Sequence, residues 1–306
     1  MVVFYYLIFP GFLFAAIAGL LTAWFDRKVT ARVQYRKGPP ITQNFRDVFK
    51  LMVKEVIVPD TANPFVFLIA PAVALATATL ATAMLGAVNM NWNITFVGDL
   101  IVFWYILSIP SIMIILGASA SGNPLASVGS AREMNQLLAY ELPLVIALTT
   151  VIYKVGSLGL GDIIAYQARN DAILYSWSGL ISCIVMFLCL QAKLGLVPFD
   201  TPEAETELGA GAFMEYSGVA LGAFKITKAI LLYTAPIFII TLFWGGIQIQ
   251  GLGILWAFLK YVLFIALFTV IRNTNPRLRI DQVLRLFWIP MTILSLVALI
   301  LMVLGY

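Results

Sequence analysis

The chain has 306 residues, of which 61% are hydrophobic and 11% charged, against about 25% charged in an average soluble domain. That balance excludes a soluble globular enzyme and, at about 20 apolar residues per crossing, leaves space for transmembrane helices and short loops but no separate soluble domain. Residues 1–306 are therefore read as one polytopic membrane domain, whose net charge of +4 reports loop topology rather than nucleic-acid binding. There is no histidine, and the two cysteines, Cys183 and Cys189, stand six apart in one apolar run. The usual ligand sets of zinc, iron-sulfur clusters and haem are missing, as is a histidine-based triad, so no metal or cofactor is expected in this chain and redox chemistry belongs to another one.

Apolar runs predict eight spans, near 3–24, 65–88, 100–120, 136–153, 177–197, 218–244, 252–271 and 286–305. The first run lacks the basic segment and small-residue cleavage site of a secretory signal, so it is kept as a span. Between the first two, QNFRDVFKLMVKEVIVPD places Phe45, Val48, Phe49, Met52 and Val56 on one helical stripe opposite Arg46, Asp47, Lys50 and Lys54. This predicts an amphipathic helix at the membrane interface or packed on the protein. The expected fold class is an all-α integral membrane protein with eight transmembrane helices and an amphipathic interfacial helix after the first. Thirteen Lys and Arg fall in odd-numbered loops and two in even ones, which puts the odd loops in the cytoplasm and both termini outside.

Charges inside spans are costly, about 2.5 to 3.5 kcal/mol each on insertion scales, so each needs a reason. Glu141 opens the fourth span, Lys193 lies in the fifth, Lys225 and Lys228 in the sixth and Lys260 in the seventh. Lys193 and Lys260, near span ends, are expected to snorkel to the interface. Glu141 has too short a stem to do so, and Pro143 frees a carbonyl nearby, which favours a polar, hydrated pocket around the acid.

The fifth loop, PFDTPEAETELGAGAFMEY, carries Asp200, Glu203, Glu205, Glu207 and Glu215 and no basic residue. One account is structural: Asp200 or Thr201 caps a helix opening with Pro202, and Glu203 with Glu205 suits its dipole. The functional account is a carboxylate cluster whose mutual repulsion raises some pKa values toward neutrality, a proton relay. Basic residues gather in two further places. Asp26, Arg27, Lys28, Arg32, Arg36 and Lys37 follow the first span, and Arg272, Arg277, Arg279 and Arg285 precede the last, where Asp281 stands one turn from Arg277 or Arg285.

Four segments together, DRKVTARVQYRKGPP with KLMVKEVIVPD, REMNQLLAYELPL, PFDTPEAETELGAGAFMEYSG and PRLRIDQVLRLFWIP, resemble the membrane subunit that joins the soluble redox arm to the membrane arm in respiratory complex I and in membrane-bound energy-converting nickel-iron hydrogenases. The resemblance runs in order over nearly the whole chain. It implies eight transmembrane helices with an amphipathic helix after the first, agreeing with the count above. It also implies an acidic path of Glu141, Glu203, Glu205, Glu207 and Glu215 toward antiporter-like subunits. The first-loop basics, with Arg277, Arg279, Asp281 and Arg285, are implied to face soluble nickel-iron-hydrogenase-like and iron-sulfur subunits in the cytoplasm of a prokaryotic cell. Quinone-reducing members carry a longer first loop, roughly GPNRVGP followed by a Gly-Leu-Leu-Gln segment. Here GPP reaches the amphipathic helix through ITQ, like the hydrogenase branch and its sulfur-reducing relatives. The expected role is a non-catalytic membrane anchor and coupling subunit for proton or sodium translocation; the alternative is a quinone-site subunit of a complex I-type quinone oxidoreductase.

Overall fold

The computed structural model describes residues 2–90, 98–247 and 251–305, excepting the side chains of residues 2, 3, 205 and 206, and is helical without strands among the described residues. The first apolar run divides into α1 (Val2–Leu7) and α2 (Phe12–Val33), and α3 (Gln43–Val53) follows. Then come α4 (Pro64–Asn89), α5 (Asp99–Ala120), α6 (Pro124–Val155), α7 (Leu160–Arg169) and α8 (Trp177–Lys193). The one-turn α9 (Glu205–Leu208) precedes α10 (Gly218–Phe243), α11 (Gly253–Thr274), α12 (Ile280–Leu286) and α13 (Thr292–Val303). A π-helical stretch, Phe287–Met291, joins the last two at Pro290, a usual cause of such a bulge.

Among the described residues seven helical segments are long and apolar enough to cross a membrane, and α8, at 17 residues, is a shorter apolar helix. The sequence boundaries need three corrections. Helix α2 continues to Val33, so Asp26, Arg27, Lys28 and Arg32 lie on its last turns rather than in a loop. Helix α6 starts at Pro124, twelve residues before the expected 136. Its start is written locally: the Asn123 side chain accepts from the Leu125 N–H at 2.8 Å, with proline in the first turn. Hydropathy overlooks this because Ser127, Arg132, Glu133 and Asn135 dilute the first three turns. Third, α3 ends at Val53, so Val56 falls off the expected stripe, while Phe49 and Val53 stand exposed.

The centre of the bundle is α10, buried along 89% of its apolar window. Thr234 and Thr241, seven residues apart on α10, meet Thr82 (2.7 Å) and Asn89 (3.0 Å) of α4. Such interhelical hydrogen bonds join helices that lipid would otherwise solvate equally well. Helix α8 lies along α6 over much of its length: Lys154 Nζ donates to Ser176 Oγ (2.5 Å), Ser182 to the Ala147 carbonyl (3.0 Å) and Gln136 to the Ala192 carbonyl (2.7 Å). Both cysteines are buried and free.

Candidate functional site

The segment between α8 and α10 is held flat against α6. Gln136, buried on α6, donates to the carbonyls of Ala192 and Phe199 at 2.7 Å each and accepts from the Thr201 hydroxyl at 2.6 Å. Gly129 permits the approach, because a Cβ there would stand 2.7 Å from the Ala212 nitrogen and 3.1 Å from the Pro202 carbonyl oxygen. On the far side Tyr216 stacks on Phe67 (4.2 Å between ring centres). Thr201 is thus engaged by Gln136, and no helix opens at Pro202; the short α9 begins at Glu205, so the capping account of Asp200 and Glu203 does not hold.

The acids of this segment find cations in other elements. Asp200 receives both arms of Arg277, Nε to Oδ1 at 2.8 Å and Nη2 to Oδ2 at 2.5 Å, a forked, bidentate geometry. Glu203 pairs with Lys228 of α10, and Glu207 with Arg132 of α6 at 2.7 Å. Glu215 accepts from Asn123. The Glu205 side chain lies outside the described residues. At Glu207 the shift runs opposite to the expected rise: the hydrogen bond and charge of Arg132 hold its carboxyl below the ordinary value of 4.5.

Behind Glu203 lies a cavity of about 20 Å³, room for one water. It is lined by Ser111, Glu133, Lys193, Glu203 and Lys228. The cations acting on Glu133 are Lys228 first and then Lys193. Lys193 does not snorkel: it is 6% exposed, donates to Ser108 Oγ at 2.9 Å and lies over the Tyr140 ring. Lys260 instead caps the far end of α10, donating to the Trp244 carbonyl at 2.7 Å. Half-buried Glu141, two turns along α6 from Glu133, also acts electrostatically on Lys193. The cavity thus forms at Glu133, which sequence reasoning missed, and Glu141 is not among its lining residues. Lys225 is on the exposed side of α10 and does not line the cavity either.

The basic residues divide between two basins. Arg277, Arg279 and Asp281 surround a basin of about 300 Å³ together with Arg132, Thr201 and Glu207, so these basics and the acidic segment form one surface. Arg277 reaches Asp200 rather than lying idle for Asp281, and Arg285 is exposed on α12. Arg27 and Arg36 line a second basin, of about 280 Å³, at the ends of α2 and α11, and Arg32 is exposed beside it. Asp26, expected on a docking face, is instead buried between α2 and α11, where it accepts from Thr269 (2.9 Å) and pairs with Arg272.

The family model described as NADH dehydrogenase matches residues 6–303. A subunit of the NADH-quinone oxidoreductase of Thermomicrobium roseum is 36% identical over 299 residues, covering 89% of this chain and 88% of the relative. The corresponding subunit of the Protochlamydia amoebophila oxidoreductase is 33% identical over 299 residues, covering 92% and 91%. Among solved structures, a chain of the membrane-bound sulfane sulfur reductase, an archaeal respiratory membrane complex, superposes with a TM-score of 0.87 at 27% identity, covering 95% of this chain and 96% of that one.

Proposed function

Because the chain belongs to the NADH dehydrogenase family, we propose that it is the non-catalytic subunit that anchors a soluble redox arm to the membrane and couples that arm to proton or sodium translocation, in a respiratory complex of the sulfur-reducing or hydrogenase type. The observation that carries this reading is a series of neighbouring acids and bases that leads from the α8–α10 segment to the cavity at Glu133. Asp200 sits on Arg277 and Glu203 on Lys228. Glu133 shares one cavity with Glu203, Lys228 and Lys193, both lysines act on it, and Glu141 acts on Lys193 as well. In such a series a charge change at one member alters the stability of the charged form of the next, so a rearrangement at the surface moves protons inside without electrons crossing the chain. Glu205, Glu207 and Glu215 belong to the same segment as Asp200 and Glu203, and Lys225 is on the exposed side of α10.

The rim of Arg277, Arg279, Asp281 and Arg285, with Arg32, faces the soluble subunits, whose carboxylates guanidinium groups grip in pairs. Arg27 and Arg36 form the membrane-side edge of that face, with Asp26 buried behind them on Arg272. Antiporter-like subunits lie along the membrane beyond Glu141. Helix α8 is an eighth crossing, since its contacts with α6 from Lys154 to Gln136 extend over about 27 Å of helix rise, close to the hydrocarbon thickness. Eight crossings of a prokaryotic cell membrane, with α3 in the cytoplasmic interface, leave both termini outside.

The test is ion uptake by sealed vesicles carrying Glu133→Gln or Lys228→Met. Both complexes should assemble and keep electron transfer in the soluble arm, while coupled uptake falls about a hundredfold, the scale for removing a positioned proton-transfer group. Wild-type uptake in both variants rejects the reading. A quinone-site role, favoured by the names of the curated relatives, would appear as inhibitor-sensitive quinone reduction by the purified complex.

A further inference from the structure

The basin at the ends of α2 and α11 is built by a folded-back turn. Helix α2 closes with the Arg36 N–H on the Ala31 carbonyl (2.7 Å) and the Tyr35 N–H on the Arg32 carbonyl (3.1 Å), the Schellman pattern, with Tyr35 in the left-handed position at φ 56. The chain then returns along α2. Gly38 lies so close that a Cβ would stand 2.7 Å from Lys28 Cδ, and the Trp24 indole donates to the Pro39 carbonyl at 3.1 Å. The result is a pocket of about 280 Å³ lined by Arg27, Thr30, Arg36, Lys37 and Arg272, near the lower size of ligand sites, about 300 Å³.

Four cations meet two carboxylates here, Asp26 on Arg272 and Asp47 on Arg27 (3.5 Å). The excess charge, the forked donors and the Thr30 hydroxyl suit a phosphate. The depth of the pocket selects the source. Asp47 belongs to α3, whose exposed Phe49 and Val53 suit the boundary between headgroups and acyl chains. Trp24, which ties down the turn, is the residue type enriched at that level. Toward the bilayer interior α2 exposes Leu13, Ile17 and Leu21, an apolar surface for acyl chains. We propose that this pocket binds the phosphate of an anionic phospholipid, holding the lipid at the seam between α2 and α11.

The experiment uses the full chain, delipidated together with the subunits that accompany it, and supplied with dioleoyl phosphatidylglycerol, dioleoyl phosphatidylcholine or sodium phosphate. Retained lipid is read by native mass spectrometry and amide exchange is followed over residues 27–39. Phosphatidylglycerol should be retained and should slow exchange, while phosphatidylcholine does neither. Arg36→Gln with Lys37→Gln should weaken retention about thirtyfold, from the usual worth of two basic residues beside anionic headgroups. Arg36→Lys with Lys37→Arg should keep most of it. Equal retention of the two lipids by the unaltered chain, which needs no variant to fold, overturns the proposal, as does unchanged retention in the double glutamine variant. Phosphate alone slowing exchange as well as phosphatidylglycerol at equal concentration overturns the lipid assignment. Protection that is lost only when salt strips the soluble subunits, whatever lipid is present, gives the pocket to a protein partner and also overturns it.

Discussion

Glu207 shows how one contact fixes the sign of a pH effect. Its carboxyl is held below the ordinary 4.5, chiefly by the Arg132 hydrogen bond and then by the Arg132 charge. A group whose folded pKa is depressed contributes stability above the unfolded pKa and loses it as pH falls through the folded one. Protection of the 201–216 segment against amide exchange should therefore persist down to about 4.5 and fade only at more acid pH. In Arg132→Gln the depression is gone, so protection should be lower above about 4.5 and should no longer fall as Glu207 protonates; identical profiles in the two proteins would remove the pair from the account. Tyr35 is a second case at this scale. A side chain with a Cβ in the left-handed region costs about 1 to 2 kcal/mol, and Tyr35, at φ 56, is fully exposed, with little packing to offset that cost. Tyr35→Gly should raise unfolding stability by about 1 kcal/mol, read from thermal unfolding in detergent. A fall of similar size would mean that the tyrosine ring has a binding partner.

Among the elements, α6 organises the site, and its hold on the acidic segment runs through Gln136. That side chain satisfies the carbonyls of Ala192 and Phe199 and accepts from Thr201. Gln136→Leu keeps the volume but leaves the Phe199 carbonyl and the Thr201 hydroxyl unpaired, while the Ala192 carbonyl keeps the Gly195 N–H, at about 1 to 3 kcal/mol for each group left unmatched. Amide exchange over 192–203 should accelerate at least tenfold while the middle of α8 is unchanged, which would distinguish a loosened segment from global destabilisation. The element also explains why Glu133 escaped notice. A helix beginning at 136 leaves Arg132 and Glu133 in a loop, where charges are ordinary. Once Asn123 and Pro124 are taken as a helix start, both become intrahelical charges that need partners, and Glu133 stands two turns before Glu141 on the same rod. The local cap was legible in the sequence; the polar composition of the first three turns concealed it.

For the whole molecule, the proposed crossings fix an experiment on orientation. A cysteine placed between 156 and 170 should react with an impermeant reagent from outside, and one between 36 and 44 from inside, because the basic residues are concentrated on the odd loops. If α8 does not cross, segments on either side of it no longer share this pattern: a probe at 200 would label with the 156–170 loop rather than with 36–44. That outcome would leave seven crossings and move one terminus to the other side.

Composition and apolar runs by themselves determined that the chain is helical and built for a membrane, because a hydrocarbon environment leaves a backbone of this kind few alternatives to internally bonded helices. The order of segments such as PFDTPEAETELGAGAFMEYSG likewise carried the family. Which helix sits at the centre could not be read in the same way. The run Ile280–Val303 is the more apolar, yet its window is 22% buried, against 89% for Gly218–Phe243. Lipid solvates apolar side chains as well as protein does, so hydropathy cannot rank burial within the bilayer. Pairing was equally a tertiary decision. Asp200 meets Arg277 and Glu207 meets Arg132 across more than 70 residues of sequence, and Lys193 is turned inward to Ser108. Such pairings arise when α6, α8 and α10 are packed together, since the cost of an unmatched charge beside the bilayer is met by whichever opposite charge the fold brings within reach.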